Sequence, residues 1–215
     1  MKALLTEAIG TFFLVLCVGL SVNQGAELAA IAIGFTLMVM VYAGGRISGG
    51  HYNPAVSFAA MLRGALPSAK LVPYWAAQLA GGVAAGFLIW KFTGHPLHVA
   101  PAESTSMLKA LAGEATFTFA LAYVVLHTAT ARGTEGNSYF GLAIGSTVLL
   151  GAIAVGPISG GAFNPAVGLA PAIVELVLGR AVSPLAWVYA VGPLAGAAAA
   201  ATAFRFQEAP DAKAA

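Results

Sequence analysis

The chain repeats one ten-residue segment almost letter for letter. Residues 47–56 read ISGGHYNPAV and residues 158–167 read ISGGAFNPAV, which places Asn53 and Asn164 111 residues apart in a chain of 215. A period of this length exceeds that of solenoid repeats, so it indicates two copies of one structural unit. Because apolar stretches fill most of the sequence around both copies, the pattern predicts a site built from two similar halves at the middle of a membrane.

The composition is that of an integral membrane protein. Hydrophobic residues make up 59% of the chain and charged residues 8%, whereas a soluble domain carries roughly a quarter charged residues. The formal charge of +2 and the absence of any basic cluster exclude nucleic acid as a partner. Cys17 is the only cysteine, so neither an intramolecular disulfide nor a cysteine-based metal site is possible.

Six stretches are long and apolar enough to cross a bilayer, which takes about 20 residues. Two further apolar stretches, 54–62 and 165–178, read as re-entrant half-helices: the first is too short to cross, and Pro171 breaks the second. The six predicted spans are 4–22, 28–45, 71–92, 108–128, 139–155 and 185–206. The predicted fold class is therefore an all-α membrane protein with six transmembrane helices and two re-entrant half-helices.

Each half contains three spans and one half-helix in the same order. Since three is odd, the second half must be inserted upside down relative to the first. We expect a single channel domain, residues 1–206, made of two inverted repeats at about 1–92 and 108–206. A loop at 93–107 links them, and a short disordered tail at 207–215 follows. The distribution of Lys and Arg favours cytoplasmic termini.

Each repeated segment carries an Asn-Pro pair, which is a typical helix start. Asn is a favoured N-cap, and Pro suits the first helical position because its missing N–H would have had no partner. Inverted symmetry makes the two half-helices meet N-terminus to N-terminus, each carrying about half a positive charge. With the Asn oxygens occupied as caps, we expect both amide NH2 groups to be free to donate beyond the helix ends.

This arrangement predicts a passive pore for uncharged solutes. The converging positive helix ends oppose cations and protons, while a dipolar molecule exchanges hydrogen bonds with the Asn amides and with nearby backbone carbonyls. We expect Gly49, Gly50, Gly160 and Gly161 to let those carbonyls approach the lumen. His51 either lines the pore or hydrogen-bonds within its own loop, and the sequence does not separate the two.

At this point the sequence resembles the aquaporin, or major intrinsic protein, family. The resemblance covers about residues 3–206. It rests on the paired boxes, on a Glu in the first and fourth spans, and on the segments 73–78 (PYWAAQ) and 187–193 (WVYAVGP). It implies a homotetramer with one pore per subunit, and it implies that Glu7 and Glu114 hold the re-entrant loops; a proton relay is the alternative for these carboxylates. The boxes comprise Asn53, Pro54, Ala55, Asn164, Pro165 and Ala166.

The resemblance also locates a selectivity filter, from which this chain departs. Counting from the boxes gives Ile33, Ala152, Gly161 and Val167. Strict water channels of the family usually place an aromatic residue, a His and an Arg here, and the Arg position is Val167. We therefore expect a wider, apolar filter, similar to that of some plant vacuolar members, which pass water, ammonia, urea or hydrogen peroxide.

The predicted function is a passive channel for water and small uncharged solutes. A strict water channel, and a glycerol, urea or ammonia facilitator with little water flux, are the alternatives; a non-conducting structural protein is disfavoured. No catalytic residue, cofactor or metal site is expected, since no constellation of nucleophile, base or metal ligands lies near the midplane. The expected partners are the lipid bilayer, other copies of the chain and the permeant solutes. Compact loops favour a bacterial plasma membrane.

Overall fold

The computed structural model describes residues 1–208, which form eight α-helices joined by short loops. Two short 3₁₀ turns, Ser68–Lys70 and Arg132–Thr134, lie between helices, and no strand occurs within the described range. The helices are α1 (Lys2–Asn23), α2 (Ala29–Ser48), α3 (Pro54–Arg63), α4 (Leu71–Thr93), α5 (Met107–Ala129), α6 (Phe140–Ser159), α7 (Pro165–Val177) and α8 (Val188–Gln207).

Six helices of 20 to 23 residues match the six predicted spans. A 20-residue helix is about 30 Å long, which equals the hydrocarbon thickness of a bilayer. Five of the six are apolar enough by composition to span a membrane: α1, α2, α4 with its preceding turn, α5 and α6. The sixth, α8, is poorer in large aliphatic residues because residues 197–201 are five consecutive alanines. Its length and its contacts with the other helices place it among the membrane-spanning helices.

The two half-helices have 10 residues (α3) and 13 residues (α7), too short to cross. The prediction that Pro171 breaks the second one is wrong, because α7 continues through Pro171 to Val177. A proline removes one helix hydrogen bond. Here Pro171 and the neighbouring Ala170 and Val174 are all buried, so packing on α7 offsets the missing bond.

The packing of the helices follows the inverted repeat. In the first half α1 packs on α2 and α4, and in the second half α5 packs on α6 and α8. The half-helices are exchanged between halves, since α3 packs on α8 and α7 packs on α4. As a result, each half-helix is enclosed by helices of both halves. Irregular backbone at membrane depth, such as the loops before the half-helices, is tolerated where it is buried in protein or lines a water-filled cavity.

Two glycines permit the closest helix crossings. A Cβ at Gly81 on α4 would lie 2.1 Å from the carbonyl oxygen of Ala8 on α1, and one at Gly196 on α8 would lie 2.1 Å from that of Ala115 on α5. Both distances are far below van der Waals contact, so only glycine fits. The equivalent position in each repeat therefore sets how closely the two helices approach.

The bounds of the loop between the repeats, and the start of the C-terminal tail, differ slightly from the prediction. The loop between the repeats spans residues 94–106 and is held to the second repeat by a backbone hydrogen bond from Ala102 to Ile158 (3.1 Å). The predicted disordered tail does not begin at residue 207, because α8 extends to Gln207. Residues 209–215, which contain the rest of that tail, lie outside the described residues.

Candidate functional site

The asparagines of the two boxes cap the two half-helices. The side-chain oxygen of Asn53 accepts from the backbone N–H of Ala55 (2.8 Å) and of Val56 (3.4 Å), and that of Asn164 accepts from Ala166 (2.9 Å). In both cases proline occupies the first helical position. Both helix starts are the ones the Asn-Pro pairs predict.

The two capping side chains also join the two loops. Nδ2 of Asn53 donates to the carbonyl of Phe163 (2.8 Å), and Nδ2 of Asn164 donates to that of Tyr52 (2.9 Å). A primary amide has two N–H donors, so each side chain keeps one N–H for a further acceptor. The expectation that both amide groups are wholly free was therefore half right: one donor of each is used to hold the opposite loop.

The residue before each Asn has a left-handed backbone conformation. Tyr52 has a φ of 49° and Phe163 a φ of 48°, a region that costs a non-glycine residue about 1–3 kcal/mol. Their carbonyls accept from the opposing Asn, and their N–H groups face the opposite way, toward buried carboxylates. Identical strain at the same step of both repeats indicates that this geometry serves the site.

The buried carboxylate of the first repeat holds its loop through four donors. Oε1 of Glu7 accepts from Ser48 Oγ (2.6 Å) and from the N–H of His51 (3.0 Å). Oε2 accepts from the N–H of Tyr52 (2.7 Å) and from Gln78 Nε2 (2.8 Å). A fully buried carboxylate normally requires such a set of partners.

The second repeat has the same arrangement with one donor fewer. Oε1 of Glu114 accepts from Ser159 Oγ (2.8 Å) and from the N–H of Ala162 (3.0 Å), and Oε2 accepts from the N–H of Phe163 (2.7 Å). Pro193 stands where the first repeat has Gln78, by alignment of the Leu-Ala-Gly segments that follow each of them. The second carboxylate thus lacks the amide donor.

Two tyrosines complete the support of the loops. Tyr74 Oη donates to the carbonyl of Ser48 (2.8 Å), and Tyr189 Oη donates to that of Ser159 (2.6 Å). Sequence reasoning did not assign a role to these four residues. The signal was available, because the Ser belongs to the repeated segment and the Tyr to the paired segments 73–78 and 187–193.

A cavity of about 440 Å³ runs past the meeting point of the half-helices. The four residues predicted for the filter, Ile33, Ala152, Gly161 and Val167, border it together, although they come from three helices and a loop. Among the described residues that line it there is no Lys, Arg, Asp or Glu. Asn53, Asn164, His51, Gly50 and Gly160 also border it, whereas Gly49 does not and instead terminates α2 with a φ of 94°.

The loop between the repeats closes part of this cavity and was not predicted to do so. Four consecutive residues of that loop, 97–100, border the cavity. Nδ1 of the half-exposed His98 lies 2.6 Å from Oε1 of Glu175, a buried carboxylate near the end of α7. No local pattern marks this pair, because its members are 77 residues apart.

Comparisons with known proteins identify the family of this chain. The sequence model of the family described as "Major intrinsic protein" matches residues 1–204. Aquaporin NIP1-3 of Oryza sativa subsp. japonica is 40% identical over an alignment of 224 positions that covers 97% of this chain and 76% of that protein. Nodulin-26 of Glycine max is 37% identical over an alignment of 211 positions that covers 94% of this chain and 76% of that protein.

A solved structure shows the same fold. The X-ray structure of the aquaglyceroporin from Plasmodium falciparum superposes with a TM-score of 0.85 at 20% sequence identity, covering 94% of this chain and 93% of that one. The predicted fold class is confirmed. The chain belongs to the major intrinsic protein family, and it is a multi-pass transmembrane channel for water and small solutes and not an enzyme.

Proposed function

We propose that solutes pass between the facing N-termini of α3 and α7, and that this junction excludes protons and cations. The observation that supports this most directly is the position of Asn53 and Asn164. Both cap a half-helix, both bind the opposite loop, and both border the cavity with one amide N–H left over. A neutral dipolar molecule accepts from these donors, whereas a cation meets two positive helix ends in a low-dielectric setting.

The residues around the junction have supporting roles in this proposal. Glu7 and Glu114 hold the loops, since each accepts the N–H groups of two consecutive loop residues. The backbone at Gly50 and Gly160 and the ring of His51 line the lumen. Gly49 does not line the lumen; its role is to end α2 with a left-handed backbone conformation.

We further propose that the filter is wide and apolar, formed by Ile33, Ala152, Gly161 and Val167. Valine at 167 supplies neither the bulk of an arginine nor its five N–H donors. Ala152 and Gly161 add almost no side-chain volume. The channel therefore passes water together with small neutral solutes, in preference to water alone.

The proposed working form is a homotetramer of single-domain subunits with both termini in the cytoplasm. With the bounds of the observed helices, the proposed domain is residues 1–207, with inverted repeats at about 1–93 and 107–207 joined by 94–106. Large exposed apolar side chains on the outer faces of α1, α2 and α6 support contact with lipid or with other subunits, among them Leu5, Ile9, Phe35, Leu142 and Leu150. A bacterial plasma membrane gains no support from the relatives described above, which are plant proteins.

Stopped-flow light scattering of proteoliposomes tests these proposals. We expect osmotic shrinkage much faster than that of empty liposomes and with a low activation energy, since water crosses without losing hydrogen bonds. A panel of glycerol, urea, ammonia and hydrogen peroxide then separates the wide filter from a strict water channel. If water permeates but none of the tested solutes does, the filter proposal is refuted. Shrinkage at the empty-liposome rate would refute the pore.

A further inference from the structure

A chain of side-chain hydrogen bonds connects the lumen to a buried carboxylate in the first repeat. Oε2 of Glu7 is 2.8 Å from Nε2 of Gln78, which is 2.9 Å from Oγ of Ser57, which in turn is 3.0 Å from Nδ1 of His51. Glu7, Gln78 and Ser57 are fully buried, and His51 borders the cavity. The chain therefore ends at the lumen on a titratable ring.

The direction of every bond in this chain follows from its buried end. Both oxygens of Glu7 already accept a backbone N–H, so the carboxylate acts as an acceptor toward Gln78 as well. The amide of Gln78 must then turn its NH2 inward, and both of its N–H donors are used, one on Glu7 and one on Ser57. Its oxygen is left buried without a hydrogen-bond partner among the described residues, the cost of this orientation.

The same reasoning determines which ring nitrogen of His51 carries the proton. Ser57 is fully buried, and its Oγ has two hydrogen-bond partners among the described residues: Gln78 Nε2, which is a donor, and Nδ1 of His51. Nδ1 is therefore the acceptor for the hydroxyl hydrogen, because the alternative, a protonated Nδ1, would leave that buried O–H without a partner. A neutral imidazole that accepts at Nδ1 carries its proton on Nε2. Within the part of the chain that the structure describes, Nε2 has no protein partner, and it is not among the buried unpaired atoms. It is therefore the nitrogen available to the lumen.

The second repeat lacks every element of this chain except the carboxylate. Ala162, Gly168 and Pro193 occupy the positions of His51, Ser57 and Gln78. None of the three has a polar side chain. The network is thus a specific feature of one half and not a by-product of the duplicated fold.

We propose that Ser57, Gln78 and Glu7 are positioning residues that hold His51 as a hydrogen-bond donor toward the lumen. The consequence concerns protons, and it rests on the proposed pore. A lumen-facing basic nitrogen would accept a proton from a hydronium ion, whereas an N–H cannot. The chain turns the basic lone pair of His51 into the protein, so the solutes that bind at this point are those that offer an acceptor atom.

Solid-state NMR of the channel in lipid bilayers, with ¹⁵N-labelled histidine, tests this directly. The spectrum of His51→Gln identifies the His51 signals by difference. At mildly alkaline pH we expect His51 to show a single neutral tautomer, with an unprotonated Nδ1 and a protonated Nε2. A wild-type His51 protonated at Nδ1 would overturn the proposal.

Variants distinguish positioning from general stability. Ser57→Ala removes the donor to Nδ1, so we expect the single-tautomer spectrum to be lost and the Nδ1–H form to appear, with a measurable proton leak in vesicles. Ser57→Thr keeps the hydroxyl and should restore the wild-type spectrum. A Ser57→Ala spectrum identical to wild type would overturn the proposal.

Gln78→Leu provides a second variant that leaves Ser57 in place. Without the amide, no donor fixes the orientation of the serine hydroxyl, so it is no longer obliged to donate to Nδ1 and we again expect both tautomers. A single unchanged tautomer would contradict the hydrogen-bond directions deduced from Glu7 to His51. Water flux measured on the same samples keeps the two proposals separate. Absent flux with the predicted tautomer refutes the pore alone, and normal flux with the other tautomer refutes the positioning alone.

Discussion

Replacing the buried carboxylate of the second repeat by an amide gives a calculable loss of stability. In Glu114→Gln the side chain keeps its size, but one of its two terminal atoms becomes an NH2 donor. If the oxygen stays at the position of Oε1, it still accepts from Ser159 and Ala162, and the NH2 faces the N–H of Phe163. In the reverse orientation the NH2 faces the N–H of Ala162, while the Ser159 hydroxyl can turn to the Val155 carbonyl (3.3 Å) and accept. Either orientation leaves one backbone N–H of the loop without its acceptor.

The expected magnitude is set by that unpaired backbone N–H, and the buried NH2 of the new amide adds to it. A buried N–H that loses its acceptor costs about 1–3 kcal/mol, so the free energy of unfolding should fall by about that amount. Glu114→Ala removes the acceptor from all three donors, and its loss should reach about 3 kcal/mol or more. Phe163 has a left-handed backbone that depends on this bond, so we also expect both variants to conduct water more slowly.

The assay is unfolding by SDS in mixed micelles, followed by tryptophan fluorescence, with water flux from stopped-flow light scattering. The matched control is Glu103→Gln, the same chemical change at an exposed residue of the connecting loop, which should leave both quantities unaltered. If the free energy of unfolding of Glu114→Gln lies within about 0.5 kcal/mol of the wild-type value, as expected for a surface substitution, the carboxylate does not hold the loop.

Three further substitutions and one control substitution test other parts of the account. Val167→Arg should lower urea or glycerol flux more than water flux because the guanidinium fills the filter; a constant solute-to-water ratio would argue against the width of the filter. Gly81→Ala places a Cβ 2.1 Å from the Ala8 carbonyl and should destabilise by about 1–3 kcal/mol. Gly113→Ala, whose nearest atom is 3.4 Å away, should be neutral or slightly stabilising; equal losses would contradict the packing argument. His98→Ala should speed amide exchange in residues 97–100, and unchanged exchange would mean that the contact with Glu175 does not hold the loop.

Most of the fold can be predicted from the sequence because its determinants are local. A run of apolar residues sets the length of a span, and the Asn-Pro pairs set the start of each half-helix at Pro54 and Pro165. The effect of Pro171 could not be predicted in the same way. It depends on how tightly α7 is packed by other helices, which a single proline in a sequence does not reveal.

The site required the three-dimensional structure for its long-range contacts. The donors from Asn53 and Asn164 to the opposite loops, and the contact between His98 and Glu175, join residues 77 to 112 positions apart. No spacing rule addresses such pairs. The chain from Glu7 to His51 is equally hidden, since its direction follows from which donors are already used and not from residue type.

The central claim is that the facing ends of α3 and α7 pass neutral molecules and stop protons. Water and proton fluxes measured in the same proteoliposomes, with light scattering for one and a trapped pH-sensitive dye for the other, test it most directly. We predict rapid osmotic water flow with proton permeability equal to that of empty vesicles. Water flow at the empty-vesicle rate, or a proton leak that rises in step with water flow, would contradict it.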